Sequence, residues 1–148
     1  AANAISVNLA AKSATGMGSD AIQSFESVIG SAFNDTLVGD KYANHFEGGY
    51  GSDVFTGGAG ADTFEWSRND LNKSAGQRPL DHITDFNAAE DVIDLSHVGS
   101  HGAAPGDVRV KDTANGTVVS VNLGSGYIDV VQLDGVHGLA ADGAWLLN

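Results

Sequence analysis

Oxygen-bearing side chains recur every nine residues in the middle of this chain. Asp35, Asn44, Asp53 and Asp62 each hold the sixth place of a nonapeptide, in the unbroken series GSAFNDTLV (30–38), GDKYANHFE (39–47), GGYGSDVFT (48–56) and GGAGADTFE (57–65). Glycine opens every unit (Gly30, Gly39, Gly48, Gly57), and the eighth place is always large and apolar (Leu37, Phe46, Phe55, Phe64). Carboxylates and amides spaced among glycines offer oxygen, next to backbone carbonyls that glycine allows to approach closely.

The element that positions them is a sharp turn followed by a strand too short to stand alone. If turn and strand alternate, two units make one coil, and turns two units apart stack on the same side. Turn 30–35 then faces turn 48–53, and turn 39–44 faces turn 57–62. Oxygens of Gly30, Ala32, Asn34 and Asp35 meet those of Gly48, Gly49, Gly51 and Asp53 in one gap; those of Gly39, Lys41 and Asn44 meet Gly57, Gly58, Gly60 and Asp62 in the other. Each gap is an all-oxygen cage. That donor set suits calcium, which takes about 6–8 oxygens; zinc favours nitrogen and sulfur, and the chain has no cysteine and no paired histidine spacing.

Magnitudes make the ion a requirement of the expected fold. Two carboxylates about 4 Å apart repel by roughly 4 kcal/mol at an effective dielectric near 20. Each buried eighth-place side chain returns about 1.5–3 kcal/mol, while ordering each residue costs about 1–2 kcal/mol of backbone entropy. Without calcium the turns are expected to be unfolded or nearly so. A flexible acidic loop is the competing reading of Gly/Asp-rich sequence, and four in-phase units with a constant apolar eighth place argue against it.

The last two units match G-G-x-G-x-D-x-U-x in full and the first two in degraded form, so the region resembles the RTX (repeats-in-toxin) calcium-binding modules. The resemblance implies an all-β fold, a right-handed parallel β-roll with N-terminal cap strands and a C-terminal antiparallel meander. It reaches back to about Ser24, where SFESVIGS is similar to RTX leader segments, and forward through DHITDFNAAEDVIDLS (81–96), similar to the segment that follows the last repeat in type I secreted members. Such modules often close their last site with a loop acid and an acid before the "D-F" strand, here Asp70 and Asp81; a solvated loop acid and a strand-start acid are the competing readings. The tail 139–148, with Trp145, Leu146 and Leu147, is similar to the target region that engages type I export machinery, and it equally reads as a core edge. The family implies an extracellular, calcium-loaded, non-catalytic module of a larger protein.

Two other hosts fit the same residues. Polysaccharide-binding R-modules of calcium-dependent alginate epimerases share the D-F-x-x-x-E-D-x-I-D-L-S continuation, and Arg68, Lys73, Arg78, Arg109 and Lys111 are the basic residues that could form a strip for a uronate polymer. The end of a cell-surface adhesin, or the tail of a lipase or protease, would read alike.

Composition narrows the rest. Net charge is −12 and the acid is mostly aspartate, the short carboxylate of turns and calcium loops. Seven Lys plus Arg argue against nucleic acid as a partner. No stretch approaches a membrane span, the N-terminus does not read as a Sec-type leader, and the start in mid-strand suggests a fragment of a longer protein. A monomer is expected. No H-E-x-x-H or G-x-S-x-G occurs, the five histidines share no ligand spacing, and His45, at a seventh place, is expected to point into solvent, so no catalysis is assigned.

By organisation, residues 1–29 read as cap strands, with Ile5, Val7 and Leu9 alternating and Val28 at an eighth place, residues 30–65 as the roll and 66–80 as a loop. Residues 81–148 read as a C-terminal β cap and secretion-signal region. Within it, Asp85, Asp91 and Asp94 read as turn-holding acids, and Asn115-Gly116 as the bend of a hairpin that begins a meander packed against the end of the roll.

Overall fold

The computed structural model describes residues 3–16, 18–71, 80–98, 107–124 and 126–147. Its strands are β1 (Ser6–Asn8), β2 (Ser13–Thr15), β3 (Ser19–Ala21), β4 (Ser27–Ile29), β5 (Thr36–Val38), β6 (His45–Glu47), β7 (Val54–Thr56), β8 (Thr63–Ser67), β9 (Asp81–Ile83), β10 (Val92–His97), β11 (Val108–Thr113), β12 (Gly116–Asn122), β13 (Tyr127–Asp134) and β14 (Leu146–Leu147), with one short helix, α1 (Arg68–Leu71), after β8.

The first three repeat strands, β5, β6 and β7, are three residues long because only the middle residue needs to face inward, while β8 runs on to Ser67 and buries Trp66 as well as Phe64. They fall alternately into two sheets. Sheet one runs β11-β12-β13-β9-β7-β5-β1-β2-β3 and sheet two runs β14-β10-β8-β6-β4. Leu37, Phe46, Phe55 and Phe64, the four eighth-place residues, are fully buried between them. Phe46 stacks on Phe64 at 5.5 Å, and Phe55 meets Phe64 edge-on at 5.7 Å and Trp66 at 5.9 Å. Aromatic pairs in such geometries add about 0.5–1.5 kcal/mol beyond area burial.

Parallel stacking does not stop at residues 30–65. Val7 registers on Leu37, Leu37 on Phe55, Phe55 on Ile83, and Ile83 on Leu133. In sheet two Val28 registers on Phe46, Phe46 on Phe64, Phe64 on Ile93, and Ile93 on Leu146. Five inward pairs therefore form one continuous β-roll, whose outer coils are interrupted by a hairpin, a helical turn and a meander.

Four expectations change. The meander does not pack on the end of the roll: β13 pairs in parallel with β9 and extends sheet one by hydrogen bonds. Its hairpin bends at Ala114 and Asn115, with Gly116 already paired to Thr113 and Asp134. Gly116 sits at φ 139°, and a Cβ there would strike the Leu133 carbonyl, so the glycine serves a close strand approach. Of the 66–80 segment expected as a loop, residues 66 and 67 finish β8 and 68–71 form α1, and residues 72–79 lie outside the described residues. Finally, the N-terminal segment leaves an apolar cleft of about 210 Å³ open beside Val7, Leu9, Phe25 and Val28, with Phe25 and Ile29 exposed.

Candidate metal centre

The turns stack as their spacing predicts, and the sixth-place side chains are the rungs. Asp53 Oδ1 accepts the Asp35 backbone N–H at 2.8 Å, and Asp62 Oδ1 accepts that of Asn44 at 2.8 Å. Turn 30–35 is also tied to turn 48–53 by Asn34 Oδ1, which accepts the Ser52 N–H at 2.9 Å, and by the Ser31 carbonyl, which accepts the Tyr50 N–H at 3.2 Å. On the other side the Asp40 carbonyl accepts the Ala59 N–H at 3.0 Å. Asp35, Asn44, Asp53 and Asp62 are all buried.

Glycine at the first place leaves room for this packing. A Cβ on Gly39 would strike the Gly57 carbonyl and Asn44 Oδ1, and one on Gly30 would strike the Gly48 carbonyl and come within 2.7 Å of Asp35 Oδ2. At the second place, Gly49 (φ 83°) and Gly58 (φ 97°) pass directly over the Ser31 and Asp40 carbonyls in the left-handed region that glycine tolerates. Gly48, Gly51 and Gly57 are buried beside their own sixth-place carboxylates, Gly60 lies over Tyr42, and Ala32 and Lys41 are exposed, with the Lys41 ammonium 5.0 Å from the Tyr42 ring.

Two buried polar atoms on the second side, Asp62 Oδ2 and Asn44 Nδ2, have no hydrogen-bond partner among the described residues. An unpaired buried carboxylate oxygen is costly unless a cation meets it. Burial pushes the Asp62 carboxyl up to about 6, and the carboxylates of Asp91, Asp85 and Asp40 push the same way, against the Asn44 N–H that favours the charged form. Burial likewise raises Asp91, helped by Asp85 and Glu90 and opposed by the N–H groups of Asn87 and Asp62. A buried carboxylate whose ionisation is opposed both by burial and by the charges of three further acids gains from a hard cation, for which carboxylate oxygen is the suited donor.

The sixth-place ladder continues where no repeat is visible. Asp81 Oδ1 accepts the Asp53 N–H at 2.9 Å and Asp91 Oδ1 accepts the Asp62 N–H at 3.0 Å, so both acids occupy sixth places in the next coil. Asp35 Oδ1 accepts the Ile5 N–H at 2.7 Å and ties the first coil in the same way. Asp81 is a buried strand-start acid that also takes the Trp66 indole N–H on Oδ2 at 2.8 Å. Asp70 is not a solvated loop acid: it is buried and takes the Ser67 N–H on Oδ2 at 2.7 Å at the start of α1.

Asp85 and Asp91, expected as turn-holding acids, do hold turns, and each also reaches across to the preceding coil. Asp91 Oδ2 holds its turn through Asn87 N–H at 2.8 Å, Asp85 takes the N–H groups of Gly57 and Gly58 at 2.8 and 2.9 Å, and the charges of both push the Asp62 carboxyl up. The available signal was the triplet D-x-U: Asp81-x-Ile83 and Asp91-x-Ile93 repeat Asp53-x-Phe55 and Asp62-x-Phe64.

Of the basic residues, Arg109 and Lys111 share one exposed face of β11, with the Arg109 guanidinium 3.8 Å from the Tyr127 ring. Arg68 is exposed at the start of α1, and Lys73 and Arg78 lie outside the described residues. His45 points outward as expected, and its Nε2 lies 2.8 Å from Glu65 Oε2. Among the described residues, no helix is long and apolar enough to cross a membrane.

Comparison with known proteins agrees with this architecture. The RTX calcium-binding nonapeptide repeat, in four copies, matches residues 29–64. A search of curated proteins returned no significant match. The solution structure of the AlgE6R3 subunit from the Azotobacter vinelandii mannuronan C5-epimerase superposes with a TM-score of 0.63 at 30% identity, over 82% of this chain and 71% of that one. The chain thus belongs to the RTX calcium-binding repeat family, in the β-roll module form that it shares with this epimerase subunit.

Proposed function

We propose that this chain is a non-catalytic module of a larger secreted protein that folds when calcium fills the stacked turns. The observation that carries the reading is the buried Asp62 Oδ2, which has no hydrogen-bond partner among the described residues, on a carboxyl whose ionisation is opposed by burial and by the charges of three further acids. Calcium would be held by the sixth-place side chains Asp35, Asn44, Asp53 and Asp62 together with carbonyls of the glycine-rich turns, and by Asp81, Asp85 and Asp91 where the ladder enters the next coil. Asp70, capping α1, serves that end as a positioning acid. When bound, the ion supplies the positive charge that offsets carboxylate repulsion and desolvation.

Calcium-coupled folding suits export in the unfolded state. A calcium-poor cytosol leaves the turns open for type I machinery, and calcium outside closes them; at a hundred times its dissociation constant each ion adds about 2.7 kcal/mol. Far-ultraviolet circular dichroism of the chain in chelator and through a calcium titration tests the reading. The expected result is a cooperative gain of β signal with calcium. A fully β-structured chain in chelator would refute it.

A second reading places an acidic polysaccharide on the module, as supported by likeness to a subunit of a mannuronan epimerase and by Arg109 and Lys111 on one face of β11. In calcium, labelled alginate oligomers should bind saturably and lose affinity in the Arg109→Ala, Lys111→Ala double variant. Absence of saturable binding would leave the folding module alone standing.

A further inference from the structure

The outer face of sheet two carries a cluster that the calcium turns do not use. Parallel register aligns Ile29, Glu47, Glu65, Asp94 and Leu147 in one outward row across β4, β6, β8, β10 and β14. Three carboxylates therefore stand side by side on neighbouring strands about 4.8 Å apart. Like charges placed directly across strands are destabilising.

Two imidazoles converge on the middle carboxylate. His45 Nε2 lies 2.8 Å from Glu65 Oε2, and His97 Nδ1 lies 2.9 Å from Glu65 Oε1. His97 reaches this face through an irregularity in β10. Strand alternation would turn it inward after buried Leu95, but the register shifts between Asp94 and His97, so Ser96 and His97 both stay on the solvent side before Val98 is buried. Bulges of this kind re-aim side chains. One donor atom each from Glu65, Asp94 and His97 lies within 4.8 Å of the other two. Asp94 is steadied by the Ser96 N–H, which donates to Oδ1 at 2.8 Å.

We propose that Glu65, Asp94 and His97 form a second metal site, selective for a zinc-class divalent transition ion and separate from the calcium turns. Imidazole nitrogen beside carboxylate oxygen suits zinc and its first-row neighbours, whereas calcium takes oxygen alone. Glu65 Oε1 and His97 Nδ1 lie 2.9 Å apart, so an ion entering between them replaces that contact and takes one lone pair from each atom. His45 holds the other Glu65 oxygen and fixes the carboxylate plane, a positioning role of the kind that typically changes metal affinity about 10–100-fold. With three protein donors the ion would keep a coordination position for water. A plain pair of histidine–carboxylate bridges is the alternative, and it holds no ion.

Zinc titrated calorimetrically into the calcium-saturated full chain separates the two. The expected result is one saturable zinc per chain, weakened at least tenfold by His97→Gln and by Glu65→Gln, less by His45→Gln, and unchanged by His82→Gln, whose imidazole pairs with Asp134 instead. Calcium-dependent circular dichroism confirms that each variant folds. In the parent protein, zinc should shift the His97 imidazole resonances in a histidine-selective NMR spectrum, a reading that needs no variant. Absence of saturable zinc, loss of zinc on raising calcium tenfold, or a His97→Gln variant that binds like the parent would each overturn the site.

Discussion

Replacing Asp62 with asparagine exchanges one oxygen for an amide nitrogen and leaves the side-chain shape intact. The variant keeps an oxygen for the Asn44 N–H and removes the charge from the buried atom that lacks a partner. In the ion-free chain this is a relief, since burial and three neighbouring carboxylates already oppose ionisation of Asp62. In the calcium-loaded chain it is a loss. One unit charge about 4 Å away at an effective dielectric near 20 is worth roughly 4 kcal/mol, and a divalent ion feels more than that. Allowing for the neutral donor that remains and for screening, the net cost should be on the order of 2–4 kcal/mol, which raises the calcium midpoint by more than tenfold. The two effects have opposite signs, so they are separable. Calcium titrations followed by circular dichroism should show the raised midpoint, while refolding in chelator with a stabilising osmolyte should become easier. A variant that is stabilised in chelator and keeps the parent calcium midpoint would show that no ion meets this carboxylate.

The same carboxyl sets a pH dependence. Its folded-state value, about 6, lies above the ordinary 3.8, so its contribution to the ion-free fold is present below about 4 and lost as pH rises through about 6. Calcium needs the ionised form; the calcium midpoint should therefore worsen as pH falls below about 6, and Asp62→Asn should flatten that part of the profile. Asn44→Asp should lower the calcium midpoint and make the chelated chain harder to fold, because it puts a second oxygen where Nδ2 now lies unpaired. Phe55→Ala removes a fully buried ring that contacts Phe46, Phe64 and Trp66, and should cost about 3–5 kcal/mol in calcium-loaded thermal or urea unfolding. Asp81→Ala should cost about 1–3 kcal/mol for each of the two donors it strands, the Asp53 N–H and the Trp66 indole, and the Trp66 emission should shift as its partner is lost.

How much of this was visible in the sequence follows from how local each interaction is. A turn and its inward residue lie two positions apart, so Asp53 with Phe55 and Asp62 with Phe64 declare themselves in any nine-residue window. The stacking of 30–35 on 48–53 follows from the period alone. What the period cannot carry is a coil whose turn has been lengthened: Asp81 follows Asp53 by 28 residues and Asp91 follows Asp62 by 29, so their ladder bonds had no visible phase. The pairing of β13 with β9 skips β10, β11 and β12, so it too has no signal in a local window. His45 and His97 share no sequence spacing, yet two parallel strands and one register shift bring both to Glu65.

Lengthened coils survive because each needs so little to re-enter the stack. One apolar residue must reach the core, and in the coils that follow the repeats directly an acid two positions earlier also accepts the N–H of the sixth-place residue a coil before it. In the last coil Val131 and Ala144 hold that place and the inward residue enters without an acid. Asp81 with Ile83 and Asp91 with Ile93 satisfy both conditions after interruptions that destroy the nonapeptide phase. Closure entropy grows slowly with loop length, by about 0.6 kcal/mol per doubling. Lengthening a coil from 18 residues (Leu37 to Phe55) to 28 (Phe55 to Ile83) costs less than one such doubling, and the 50 residues from Ile83 to Leu133 cost less than one more. Burying Ile83 or Leu133 returns about 1.5–3 kcal/mol, which exceeds either penalty. The meander adds its own buried valines, Val119, Val121, Val130 and Val131, so that insertion also offsets part of its own ordering. Insertion into an outer coil is therefore cheap wherever the inward apolar residue is kept. Insertion between Asp53 and Phe55, inside the triplet, would turn the aromatic ring to solvent and leave the ladder bond without a core beneath it.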